Sequence, residues 1–183
     1  MKEQYKNFIT KTVWCAIIIF VLLYILSWKF GAQIFSLYDT FGYAGEAIGL
    51  TTILMAIYEK WLWKYNKFED TPVLNKVYEG FILSNYDGIK RDAILEIKQT
   101  LLSVHITLIS GESRSRSISS SIDTILGEKQ LTYCYLNIPK SEFRNRSEIH
   151  YGTAMLNITS QGNLTGHYYT DRNTRGDMEF TAK

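Results

Sequence analysis

Residues 58–88 read YEKWLWKYNKFEDTPVLNKVYEGFILSNYDG, and the change of pattern inside this stretch decides the fold. Up to the Lys/Trp/Tyr cluster the chain is made of long apolar runs. From Pro72 onward it switches to short segments of period two, separated by turn residues such as Asp87-Gly88. The seam near Pro72 divides the 183 residues into an anchor, 1–70, and one β module, 71–183.

Upstream of the seam, Thr12 to Trp28 reads TVWCAIIIFVLLYILSW, 17 residues without a charge, and after Lys29 an uncharged extension runs from Phe30 to Tyr38. A span of the hydrocarbon core takes roughly 20 residues. Lys2, Lys6 and Lys11 before the run also fit a secretory signal, but a second apolar run, Thr40 to Tyr58, follows at once. The reading is a transmembrane helical hairpin with spans at about 12–30 and 40–60. Glu46 is the ionisable residue of the second run, and such a charge costs about 2.5–3.5 kcal/mol at mid-bilayer. It is either interfacial or a buried polar contact between helices or protomers. Gly45 and Gly49 frame it as G-x-x-x-G, a spacing that permits close helix approach within one hairpin or between protomers. Trp61, Trp63 and Tyr65 are expected to form an aromatic belt at the interface. Lysines flank the outer ends of both runs and only Lys29 sits between them. The positive-inside rule therefore puts both termini and the β module in the cytoplasm.

Downstream, eight strands are expected near 76–85, 90–100, 103–110, 115–124, 130–137, 149–159, 163–171 and 175–182. Eight short antiparallel strands suit an up-and-down β-barrel, which closes and so leaves no edge; a sandwich is the alternative. The SRSRSISSS run, 113–121, reads as a polar strand rather than a disordered arm. Alternation assigns inward faces: Tyr78, Gly80, Ile82 and Ser84 on the first strand; Leu131, Tyr133, Tyr135 and Asn137 on the fifth. His150, Gly152, Ala154, Leu156 and Ile158 face inward on the sixth, and Leu164, Gly166, Tyr168 and Thr170 on the seventh. The small residues among them are expected to leave interior room for one small ligand.

Up-and-down topology then gathers Ser84, Asn137, His150, Thr170 and Arg172 at one mouth. The adjoining loops bring Lys90, Arg91, Arg114, Arg116, Lys140, Arg144, Arg146 and Arg175, diluted by Asp87, Glu112, Glu142, Glu148 and Asp171. An anionic guest is favoured there. The side chains suit a small nucleotide: Arg172 for a phosphate, Tyr133, Tyr135 and Tyr168 for stacking, Asn137 and Thr170 for base edges or ribose. Each also has a plainer reading. Inward tyrosines, Tyr78 included, fill barrel cores; His150 is a satisfied polar residue; Arg172 is a solvated turn residue.

The formal charge of +2 argues against a protein that coats DNA or RNA polymers. Cys15 and Cys134 offer neither metal spacing nor a disulfide framework, which fits a reducing compartment. His105, His150 and His167 make no metal signature, and no P-loop, G-x-G-x-x-G or Ser/His/Asp order appears. The expectation is a binding protein with no cofactor, not an enzyme. The sequons at Asn145, Asn157 and Asn163 read as chance in a Ser/Thr-rich chain.

Two apolar spans, the YEGFI and LTYCYLN strands, HYGTAMLNI and the closing GHYYTDRNTRG resemble the two-transmembrane, lipocalin-like β-barrel effectors of bacterial CBASS anti-phage systems. The resemblance covers essentially the whole chain and is most specific from Gly152 to Phe180. It implies a cyclic dinucleotide, supplied by a cognate nucleotidyltransferase, bound in the barrel. It also implies assembly into a homo-oligomer and disruption of the lipid bilayer that kills the cell. Thr170 and Arg172 occupy the family's closing T-x-R pattern, and the resemblance gives them the ligand. For Tyr78, Tyr133, Tyr135, Asn137, His150 and Tyr168 that role rests on strand parity. Two other readings compete: a membrane-tethered carrier of an apolar ligand in the manner of lipocalins, and a structural subunit of a larger complex.

Overall fold

The structure, a computed structural model, describes residues 2–29 and 37–183. They form two units, Met1–Phe68 and Glu69–Lys183. In the first, α1 (Lys2–Lys29) and α2 (Leu37–Lys60) pack together, and a 3-10 turn, Leu62–Tyr65, follows. Both helices are long and apolar enough to cross a membrane. This pair of candidate spans points to membrane association. Two of their hydroxyls return to their own helices: Thr12 and Thr52 donate to the carbonyls of Phe8 and Ile48, each at 2.8 Å. That is the arrangement a helix needs where no water can satisfy it. The uncharged extension read from Phe30 lies, up to position 36, outside the described residues. Lys29, expected between the runs, closes α1 instead.

Two expectations about this unit change. The covered side of α2 is the i, i+4 stripe Ala47, Thr51 and Met55. Gly45 and Gly49 sit off that stripe; a Cβ added at either would meet nothing within 4 Å, and Glu46 beside them is exposed. The G-x-x-x-G pair therefore does not make the contact within this hairpin. In the aromatic cluster, Trp61 and Tyr65 are exposed but Trp63 is buried, so Trp63 is not available to the expected belt.

The second unit is a closed barrel of eight antiparallel strands in chain order. They are β1 (Val77–Ser84), β2 (Lys90–Gln99), β3 (Val104–Ser110), β4 (Ser113–Ile125), β5 (Glu128–Pro139), β6 (His150–Ile158), β7 (Leu164–Thr170) and β8 (Arg175–Ala182). Closure comes from β1 against β8, with Ile82 opposite Met178. β4 and β5 outrun their expected bounds because their ladder continues from Ser113↔Pro139 to Ile125↔Glu128, across a bulge between Ser117 and Ser119.

Alternation places the core. Tyr78, Leu95, Ile106, Leu131, Tyr133, Leu156, Leu164, Met178 and Phe180 are fully buried inside the barrel. The end where the chain arrives is sealed by its own polar clamp. Gln99 accepts from the Leu74 amide at 2.9 Å and donates to the Pro72 carbonyl at 2.8 Å, and the Asn75 amide donates to the Tyr78 hydroxyl at 3.1 Å. The expected interior room is largely filled. A Cβ on Gly152 would lie 2.4 Å from Cζ of Tyr135, and one on Gly166 would strike the Met155 carbonyl. These glycines accommodate a ring and a neighbouring strand rather than leaving space. What remains open lies at the opposite end.

Candidate ligand-binding site

At the end away from the chain's arrival, a cavity of about 150 Å³ opens between four loops. Its walls are inward positions near the strand ends: Ile82 and Ser84 of β1, Leu108 of β3, Ser115 of β4, Tyr135 and Asn137 of β5. His150, Tyr168, Thr170 and Met178 complete them. The rim is made of Tyr86 and Asp87, Glu112, Arg146 and Ser147, and Arg172 and Thr174, one group from each mouth loop. A void of about 150 Å³ takes a single ring the size of benzene. Anything larger must extend into the open mouth.

A hydrogen-bonded chain fixes one wall. The Ser115 hydroxyl donates to Oδ1 of Asn137 at 2.9 Å, which leaves the Asn137 amide to donate. That amide approaches Nε2 of His150 at 3.5 Å, and Nδ1 of His150 lies 2.8 Å from the Glu148 carbonyl. A carbonyl only accepts, so the proton on this edge of His150 sits on Nδ1 and Nε2 accepts. Thr170 shares a 2.6 Å hydroxyl contact with Thr174, and its oxygen accepts from the Arg172 amide at 3.3 Å.

Tyr135 lies over Gly152, and Tyr168 comes close to Gly176, where a Cβ would lie 2.7 Å from the ring. Burial pushes the Tyr135 phenol up, with Tyr168 and Asp171 adding to the shift, so it remains a proton donor at neutral pH. Beneath it Tyr133 packs at 5.8 Å between ring centroids. Burial raises its phenol too, and its hydroxyl has no hydrogen-bond partner among the described residues.

Three arginines and two carboxylates line the cavity, one positive charge in excess among them. They differ in how they are held. Arg91 makes a two-pronged pair with Asp87 at 2.5 and 3.0 Å, and its Nε lies 3.2 Å from Glu112. Arg146 pairs with the same Glu112 oxygen at 2.7 Å. Arg172 has no carboxylate within ion-pair distance among the described residues; its Nη1 donates to Ser147 Oγ and to the Glu148 carbonyl, each at 3.2 Å. Among the three arginines that line the cavity, it is the one not held by a carboxylate.

Of the residues selected by parity, Tyr135, Asn137, His150, Tyr168, Thr170 and Arg172 line this cavity. Tyr78 and Tyr133 face inward but lie in the filled core below, and Tyr78 is tied to the sealed end. Arg114 and Arg116, expected at the mouth, point outward from β4, where Arg114 reaches Glu96 at 4.0 Å. The reading missed Ser115. The signal was present: in SRSRS the serines hold one parity and the arginines the other. The ion pairs of Asp87, Arg91, Glu112 and Arg146 had no such signal.

Comparison with known proteins adds two findings. A family model described as "Cap15, cyclic dinucleotide receptor domain" matches residues 69–182, the whole barrel. The CD-NTase-associated protein 15 of Staphylococcus schleiferi is 34% identical over 189 residues, covering 97% of this chain and 97% of that protein. The barrel, the two apolar helices before it and these matches agree throughout the chain, which belongs to the Cap15 family of cyclic dinucleotide receptor proteins.

Proposed function

We propose that this protein is the membrane-anchored effector of a CBASS anti-phage system, switched on by a cyclic dinucleotide. The carrying observation is Arg172, a rim guanidinium without a carboxylate partner, beside a cavity of one-ring size walled by Tyr135 and Tyr168. One base enters the cavity and stacks on these rings; Asn137, Thr170 and the Nε2 edge of His150 meet its polar edge. The sugar-phosphate ring stays in the mouth, with Arg172 on a phosphate. This is binding chemistry; no step of bond-breaking is assigned to the site.

Homo-oligomerisation and disruption of the inner membrane complete the reading. Two surfaces support assembly. From Gln130 onward, the outer faces of β5, β6 and β7 carry no Asp, Glu, Lys or Arg, while exposing Ile138, Tyr151 and Tyr169. A charge-free face can meet its own copy without repulsion. In the other unit, Gly45 and Gly49 present an uncovered face of α2 on which a second helix can approach closely. The lipocalin-like carrier finds less support, because the lumen below the mouth is packed with side chains.

The test is leakage. Full-length protein reconstituted into dye-filled vesicles is challenged with cyclic dinucleotides built from A, G, C and U. Release that depends on one member of the panel, and is lost in Arg172→Ala, is the expected result. Release without ligand, or none with any member, contradicts the reading.

A further inference from the structure

Resting on that reading, the ion pairs of the mouth carry one step more. A cyclic dinucleotide has two phosphates, and Arg172 serves one. Of the remaining lining arginines, Arg91 is committed twice over: it grips both oxygens of Asp87 and also reaches Glu112. Arg146 is committed once, to Oε1 of Glu112 at 2.7 Å, with its guanidinium 4.9 Å from the centre of the Phe143 ring. Its side chain is half exposed and that of Glu112 about a third, so the pair separates without stranding either charge in a dry interior.

Glu112 thus bridges Arg91 of β2 and Arg146 of the β5–β6 loop from the turn between β3 and β4. If Glu112 turned out to solvent, Arg91 would keep Asp87, and Arg146 alone would be released. Carboxylate and phosphate use the same planar fork of donors. We infer that Glu112 is a built-in anion that holds Arg146 in reserve, and that the second phosphate of a cyclic dinucleotide takes its place. The exchange sets a threshold. A ligand with one phosphate is met by Arg172 and leaves the latch shut; a ligand with two can open it, which couples ring recognition to release of the Arg146 end of the β5–β6 loop, while its Lys140 end stays tied to the Gly111 and Glu112 carbonyls of the β3–β4 turn.

A double-substitution cycle on the full chain in detergent micelles tests this. The probe is the tightest-binding member of a panel of cyclic dinucleotides of A, G, C and U, read by calorimetry, with AMP as the one-phosphate control. Glu112→Gln is expected to tighten binding of the cyclic probe by about threefold or more, and Arg146→Ala to weaken it by about tenfold. In the Arg146→Ala background, Glu112→Gln is expected to give no gain. AMP binding should not change with Arg146. Should Arg146→Ala melt well below the parent protein, Arg146→Gln replaces it in the cycle. An equal gain from Glu112→Gln in both backgrounds would mean a general charge effect and would overturn the latch. So would weaker binding in Glu112→Gln, or unchanged binding in the Arg146 variant. A parent protein that binds no member of the panel overturns the functional reading itself, and the latch with it.

Discussion

Tyr133 shows what alternation along a strand can and cannot reveal. Its parity is inward and its ring is buried, yet it sits one layer below the cavity with an unpartnered hydroxyl. A buried hydroxyl without a partner costs about 1–3 kcal/mol. Tyr133→Phe is therefore expected to raise stability in denaturant by about 1 kcal/mol; a loss of that size would mean the hydroxyl is satisfied in the folded protein. Parity gives the face and not the depth, which is why it picks out Tyr78 and Tyr133 along with residues that do line the mouth. Asp87 is the opposite case, a charge whose partners the sequence could not reveal because they depend on loop conformation. The Arg91 side chain and the Ile89 amide hold its carboxyl at about 2, below its ordinary value. A folded-state value below the unfolded one means the contribution is complete above about pH 4 and is lost as pH falls through about 2. The advantage in melting temperature of the parent over Asp87→Asn should therefore be flat from neutral pH down to about 4 and vanish near 2. An advantage that disappears near neutrality would assign it to another group.

At the scale of elements, the strands were legible because turn chemistry and period two agree in nearly every segment. The turn at Leu126-Gly127, with φ of 52° and 87°, is where the longest hairpin reverses. The helices were equally legible as apolar runs, but which side of α2 is covered was not. G-x-x-x-G spacing marks a surface that allows close approach without saying what approaches. Ala47, Thr51 and Met55, not the glycines, occupy the covered side. Leucine at Gly45 and Gly49 should thus leave the hairpin itself intact, since each new Cβ points into open space. The same pair of substitutions should reduce ligand-dependent cross-linking between full-length copies in vesicles. Undiminished cross-linking would remove the glycines from the contact between copies.

For the whole molecule, the barrel separates its tasks around and along its axis. Packed side chains and the Gln99 clamp occupy the end where the chain arrives, and the cavity occupies the other. The outer wall is charged on β8, β1 and β2, with Asp177, Glu179, Glu79, Asp92 and Glu96, and uncharged on β5 from Gln130 onward and on β6 and β7. Thr153 lies at the middle of the uncharged face, between Cys134 and Tyr169. Thr153→Arg would put two like charges together in a face-to-face pair, so it should preserve ligand affinity while lowering the ligand-induced assembly size. An unchanged assembly would place the contact elsewhere. Yet both assembly and leakage presuppose that a cyclic dinucleotide occupies the mouth through Arg172. Calorimetric titration of the full chain and of Arg172→Ala with the cyclic dinucleotide panel tests that most directly. One-to-one binding per barrel by the parent, weakened about tenfold or more in a variant of unchanged melting temperature, is the predicted result; equal affinity in both proteins would contradict it.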